Sequence, residues 1–160
     1  YTYSKFESKI DIVNLDAHAD YRALEGRHSG NSFSYAFRDG FINKYSVLGL
    51  HQRYNSQKII DDLRGDGHAF TFLEDYIDGD RKLKADIDTF IKERSKHYLG
   101  VELDLDCIEN MPSSAFSPSG VSYLHLPEGA PLNESEKVIV GKTLAYLVTD
   151  FISSHGVLKL

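Results

Sequence analysis

The sequence predicts an α/β fold: three layers, α/β/α, built around a mainly parallel sheet. Short apolar runs recur along the chain, and helical patterns separate them. The runs are continuously apolar instead of alternating, as expected of strands covered on both faces. Strands that alternate with helices build a parallel sheet with helices on its faces.

Ile10–Leu15 reads as the first strand, Ser46–Leu50 as the second, Ala69–Leu73 as the third and Tyr98–Leu103 as the fourth. Val121–Leu126 is a candidate fifth. Ser56 is placed to cap a helix that buries Ile59, Ile60 and Leu63 and stops at Gly65. Asp80–Ser95 spaces Leu83, Ile87 and Ile91 four apart, with charges on the other face. Asn133 and Glu136 form a capping-box-like start to a long helix, with Val140, Leu144, Leu147, Val148 and Phe151 inward and Gly156 as its stop. Asp104–Gly120 breaks the pattern, because it carries Pro112 and Pro118 and no apolar helical stripe. A crossover between parallel neighbours is usually a helix. A segment is therefore expected to be absent near Gly120–Ser122.

The 160 residues suffice for one domain with a real core. A net charge of −6 argues against nucleic acid or an anionic membrane as partner and favours cations or small molecules. Cys107 is the lone cysteine, which excludes an internal disulfide and suits a reducing cytoplasm. No apolar stretch is long enough to span a bilayer, and no signal peptide opens the chain. The first residue is Tyr1, so the chain is expected to begin partway into a longer protein, as one domain incomplete at its N-terminus. Homo-oligomerisation is left open.

Two clusters carry the chemistry. Asp16, His18 and Asp20 follow the first strand at spacing two, so in an extended chain their side chains face one spot. Open α/β sheets place ligands at such strand ends. Carboxylates with one imidazole suit Mn²⁺, Zn²⁺ or Fe²⁺ better than Ca²⁺. Alone, the pattern fits equally well a polar loop that turns the chain. Asp104 and Asp106, again at spacing two after an apolar strand, change that balance. Four carboxylates facing one cleft repel unless cations neutralise them, so the pair of clusters favours a dinuclear site.

With these residues the chain resembles the ureohydrolase superfamily of arginases, agmatinases and formimidoylglutamases. Asp16-Ala17-His18-Ala19-Asp20 matches its D-A-H-x-D motif and Asp104-Leu105-Asp106 its D-x-D motif. His125 to Pro131 is similar to a segment whose glutamate, here Glu128, pairs with the substrate's guanidinium or amidine. The resemblance implies two Mn²⁺ ions bridged by Asp16 and Asp104. His18 and Asp106 would complete one shell, and Asp20 would bind the second ion. A further histidine comes in this family from an upstream Gly-Gly-Asp-His motif that this sequence does not contain.

Within the family, Arg22 stands where arginases and agmatinases carry a substrate-binding asparagine. Ser29-Gly30-Asn31 is present, but Phe33 holds the position of a catalytic histidine. Gln52 and Tyr54 replace acids that serve a substrate's α-amino group. Loss of those acids and gain of an arginine suit a substrate bearing carboxylates. The resemblance therefore implies hydrolysis of a small linear amidine, formimidoylglutamate, to glutamate and formamide. Asp20 would move the proton, Glu128 would hold the amidinium, and Arg22, Ser29 and Asn31 would bind the carboxylate end. Each has a plainer reading: Arg22 as a surface charge paired with Glu25, Ser29 and Asn31 as turn formers, Glu128 as a loop residue. His51, His68, His97 and His155 lack ligand spacing, and Cys107 reads as a packing residue. An arginase- or agmatinase-type enzyme, a non-catalytic binding protein of the same fold and a convergent metal hydrolase are the rival readings.

Overall fold

A computed structural model describes residues 3–93, 98–109 and 120. The candidate fifth strand, the C-terminal helix, Glu128 and its motif all lie outside the described residues, as does most of the stretch expected to be broken near Gly120–Ser122.

Among the described residues four strands form one parallel sheet: β1 (Ile10–Leu15), β2 (Ile42–Leu50), β3 (Ala69–Phe72) and β4 (Leu99–Leu103). Their order is β3-β2-β1-β4. β1 matches its expected bounds. β2 starts four residues before its apolar core because Asn43 and Lys44 interrupt the hydrophobic run without breaking the pairing. A register shift after Ile10 skips Asn43, whose amide instead donates to Asp11 Oδ1 at 2.9 Å. β3 ends one residue early, since Leu73 opens a helix whose Asp75 carboxylate accepts the Phe72 N–H.

Among the described residues four helices accompany the strands: α1 (Ser32–Arg38), α2 (Gln57–Gly65), α3 (Leu73–Ile77) and α4 (Leu83–Glu93). The Ser56 side chain caps α2 by accepting from Ile59 N, as its position predicts. α4 buries Phe90 beside Leu83 and Ile87, where a strict spacing of four pointed to Ile91. The helical repeat of 3.6 explains the difference, because each four-residue step drifts around the axis. α1 was not expected: its serines and aromatics are weak helix formers, and packing of Phe33, Ala36 and Phe37 on the sheet holds it.

Two cores flank the sheet. Ile10, Ile12, Tyr45 and Val47 pack with Phe33 of α1 and Ile60 and Leu63 of α2 on one face. Val13 and Leu48 pack with Phe90 of α4 on the other. These are the three expected layers. The chain runs from β1 outward to β3, then returns to the far side of β1 as β4. With a constant crossover hand, such a reversal requires helices on opposite faces. It leaves a crevice outside the carboxyl ends of β1 and β4, the usual ligand position in open α/β sheets. No helix among the described residues is long and apolar enough to cross a membrane.

Candidate metal centre

Register brings the two acidic clusters together. Leu15 pairs with Leu103 across β1 and β4, and the Asp104 N–H donates to the Leu15 carbonyl at 3.0 Å. Asp16 and Asp104 therefore leave the sheet side by side. Beyond β4 the chain does not stay extended, as the spacing argument assumed. Leu105–Cys107 form a 3-10 turn, and the Asp104 carboxylate accepts Asp106 N at 3.1 Å. The turn directs the Asp106 carboxylate back toward β1 and buries Cys107, whose thiol is pushed well up by burial. Cys107 packs as expected, although the turn and not strand alternation buries it. Gly120 lies against this turn, where an added Cβ would stand 2.5 Å from the Cys107 carbonyl oxygen.

Asp16, His18 and Asp106 offer ligand atoms within 4.8 Å of one another. The His18 Nδ1 is 2.7 Å from Asp106 Oδ2 and 3.8 Å from Asp16 Oδ1. Asp106 Oδ1 is buried with no hydrogen-bond partner. A buried carboxylate oxygen without a donor is costly unless a cation meets it. Asp16, Asp20 and Asp104 together line a cavity of about 270 Å³, along with Asn14, Phe33 and Leu103. The donor set of carboxylate oxygens and one imidazole fits a divalent transition metal such as Mn²⁺. All five expected ligands thus stand at the ends of β1 and β4: three converge on one spot, and Asp16 links them to the cavity holding Asp20 and Asp104.

The electrostatics match a site built for cations. Asp16 is 2% exposed, and its carboxyl is pushed up to about 8. Burial is the main cause, opposed by the His18 N–H (2.7 Å to Oδ1) and reinforced by Asp106, Asp20 and Asp104. Asp20 is pushed up to about 6 by burial and then by Asp104. The His18 imidazole is raised, chiefly by its hydrogen bond to Asp106. Asp20 also has φ +47°, the only non-glycine residue with positive φ among those described. Such a conformation costs on the order of 1 kcal/mol and gathers at functional positions.

Neighbouring residues hold this loop. The Asn55 Oδ1 accepts Ala19 N at 2.9 Å, while its amide donates to the Ala17 and His51 carbonyls, both at 2.9 Å. Tyr54 stacks on the His18 ring, with centroids 5.4 Å apart, and on His51 at 4.1 Å. The sequence reading missed Asn14, Tyr45 and Asn55 because each looks like an ordinary strand or turn residue until its partner is seen. His68, which lacks ligand spacing in the sequence, is a buried residue: its Nδ1 accepts Tyr45 N, and its Nε2 is 3.1 Å from the Tyr21 hydroxyl.

The loop between Asp20 and α1 places the remaining candidates. Arg22 is exposed and makes no ion pair with Glu25, which instead faces His28 at 3.5 Å. Its guanidinium lies over Gly30, where any Cβ would stand 3.2 Å from Nε, and its charge reaches Asp20. Asn31 departs from the expected substrate contact. It is 0% exposed, donates to the Ala23 and Gly26 carbonyls at 3.0 and 2.8 Å, and accepts His28 N. Those bonds tie the loop together and leave the amide no free hydrogen. Ser29 lines an adjacent hollow with Arg27, His28 and Tyr35, outside the cavity of Asp16 and Asp20. Phe33 does line that cavity and stacks on Tyr45 at 4.3 Å, so the wall there is apolar.

Comparison with known proteins agrees with this geometry. The family model described as "Arginase family" matches residues 2–128. A formimidoylglutamase of Streptococcus pyogenes serotype M6 (strain ATCC BAA-946 / MGAS10394) is 28% identical over 157 residues, covering 92% of this chain and 47% of its own. One from Streptococcus gordonii (strain Challis) is 26% identical over 163 residues, covering 96% and 48%. The chain thus spans about half the length of the relatives it matches. The crystal structure of formimidoylglutamase from Bacillus subtilis subsp. subtilis str. 168 superposes with a TM-score of 0.56 at 19% identity. That match covers 70% of this chain and 37% of the other.

Proposed function

The chain belongs to the arginase family, and from that premise we propose that it forms part of a ureohydrolase, a hydrolase of C–N bonds in linear amidines, with formimidoylglutamate as substrate. The observation that carries this reading is the convergence of Asp16, His18 and Asp106, with Asp106 Oδ1 buried and unpartnered, beside the acidic cavity. The named relatives, formimidoylglutamases of two streptococci, support the choice of substrate.

Asp16, His18 and Asp106 would hold one divalent ion, and Asp16, Asp104 and Asp20 a second, with Mn²⁺ the metal we assign. Bound there, two such ions supply Lewis acidity and lower the pKa of water toward neutrality. Asp20 is suited to hold and pass a proton, because it lines the cavity together with Asp16 and Asp104. Water would supply the oxygen that bonds to the amidine carbon, and the glutamate nitrogen would accept that proton as the C–N bond breaks, giving glutamate and formamide. Glu128, in the family's motif, would pair with the amidinium and orient its carbon.

Arg22 supplies a charge for a substrate carboxylate, and Gly30 leaves room for its guanidinium. The apolar Phe33 takes away the polar contact that a histidine would offer there, which fits the same preference. The partner is then a small molecule, in a cytoplasmic setting, with no role for nucleic acid or membrane. The test is hydrolysis by the complete protein with added Mn²⁺. Formamide release from formimidoylglutamate, with arginine and agmatine untouched, is expected; hydrolysis of arginine or agmatine instead would overturn the Arg22 argument.

A further inference from the structure

The metal loop and the strand beneath it are joined by a closed ring of hydrogen bonds. The Tyr45 hydroxyl on β2 donates to the Ala19 carbonyl at 3.0 Å. Its only proton is then committed, so its oxygen can only accept. The side-chain nitrogen of Asn14 lies 3.0 Å from that oxygen, which fixes which way the Asn14 amide faces. Presenting its NH₂ group to Tyr45 leaves the second hydrogen aimed at Asp16 Oδ2, at 2.9 Å. The chain from Asp16 through Ala17 and His18 to Ala19 closes the ring. Asn14 is 2% exposed, Tyr45 0% and Asp16 2%, so water does not replace these bonds.

The consequence concerns Asp16. Its Oδ1 accepts the His18 N–H and its Oδ2 accepts Asn14, one donor to each oxygen. Both oxygens keep a lone pair directed elsewhere, as a carboxylate shared between two cations requires. Ala19, which sets the orientation of Tyr45, lies between His18 and Asp20, the residues assigned to the two separate ions.

We propose that Asn14 and Tyr45 are positioning residues that hold Asp16 as a bridging carboxylate and couple its orientation to the Ala19 carbonyl. The proposal rests on the reading of Asp16 as a metal ligand. Tyr45 reaches Asp16 only through the Asn14 amide that it orients, so the two residues form one unit toward that carboxylate. An outer-sphere partner of this kind typically contributes about 10–100-fold in metal affinity.

The test is a double-mutant cycle on Mn²⁺ affinity in the complete protein, using Tyr45→Phe, Asn14→Leu and the pair. Tyr45→Phe keeps the ring and its stack on Phe33 while removing the hydroxyl. Each single change is expected to weaken Mn²⁺ binding on the order of 10-fold or more, and the double variant no further than Asn14→Leu alone. The exchange-coupled Mn–Mn electron paramagnetic resonance signal is expected to diminish in each. Unchanged affinity and an unchanged coupled signal in Tyr45→Phe would overturn the proposal, whatever its melting temperature. Additive losses in the double variant would equally overturn it, as two independent structural roles. If the parent protein binds no Mn²⁺ at all, the metal reading itself falls, and the positioning role falls with it.

Discussion

The His18 imidazole nitrogen Nδ1 stands 2.7 Å from Asp106 Oδ2, joining the loop after β1 to the turn after β4. Two groups proposed as metal ligands here hold each other through a proton where an ion would bind both. The bond needs that proton, and metal coordination needs its loss.

Mn²⁺ binding is therefore expected to release protons near neutrality. Asp16 is held up near 8, Asp20 near 6, and His18 is raised. All three must lose their protons to act as ligands, so affinity falls as pH drops from about 8 to about 6. Calorimetric titration at pH 6.5 and 8.5, in buffers of differing ionisation enthalpy, measures both effects. Binding without proton release at pH 6.5 would contradict the assignment.

The metal-free protein should show the reverse dependence in its stability. A carboxyl raised in the folded state binds its proton more tightly folded than unfolded, so stability rises as pH falls through the folded value toward the ordinary one. For Asp16 that window runs from about 8 down to the usual 3.8. His18 has the same sign: its contribution is present below 6.5 and lost as pH rises through the raised value. The melting temperature with chelator present is expected to be higher at pH 6 than at pH 9, and added Mn²⁺ should remove or invert the difference. A chelated protein more stable at pH 9 would count against this electrostatic picture.

Asp106→Asn separates function from stability. It removes one like charge from the Asp16 cluster and an anionic ligand. Tight Mn²⁺ binding should be lost, while the metal-free protein at pH 8–9 gains on the order of 1 kcal/mol, or a few degrees in Tm. Dialysis against Mn²⁺ together with thermal unfolding would show both; retained binding would remove Asp106 from the ligand set.

Asn31→Ala is expected to act on the loop and not on the metals. Its side chain satisfies two carbonyls and one N–H of the Ala23–His28 segment, so removal should cost about 1–3 kcal/mol. KM should rise through a loosened Arg22, with Mn²⁺ affinity unchanged. A shift in affinity by denaturant-matched titration would show that Asn31 reaches the ions.

Much of this was legible in the sequence because it depends on local pattern. The apolar run Ile10–Leu15 and the Ser56 cap fix an element from neighbouring residues alone. Aspartates spaced two apart at strand ends announced the site, since chemistry concentrates at that position in α/β sheets. What the sequence did not reveal depends on distant partners. α1 exists because Phe33 and Phe37 have a sheet to pack on, and the buried fate of Asn31 appears only once Ala23 and Gly26 fold around it. The turn at Leu105–Cys107 reversed the expected extended geometry while preserving the convergence. Strand adjacency decided that outcome, and the pairing of Leu15 with Leu103 is not written in either strand.

Counting the Mn²⁺ ions bound per chain in the complete protein and in its Asp16→Asn variant shows whether two ions share Asp16. Two ions in the parent, and loss of tight binding at both positions in the variant, are the predicted result. A parent that binds none after Mn²⁺ loading, or an Asp16→Asn variant that still binds two with unchanged affinity, would contradict it.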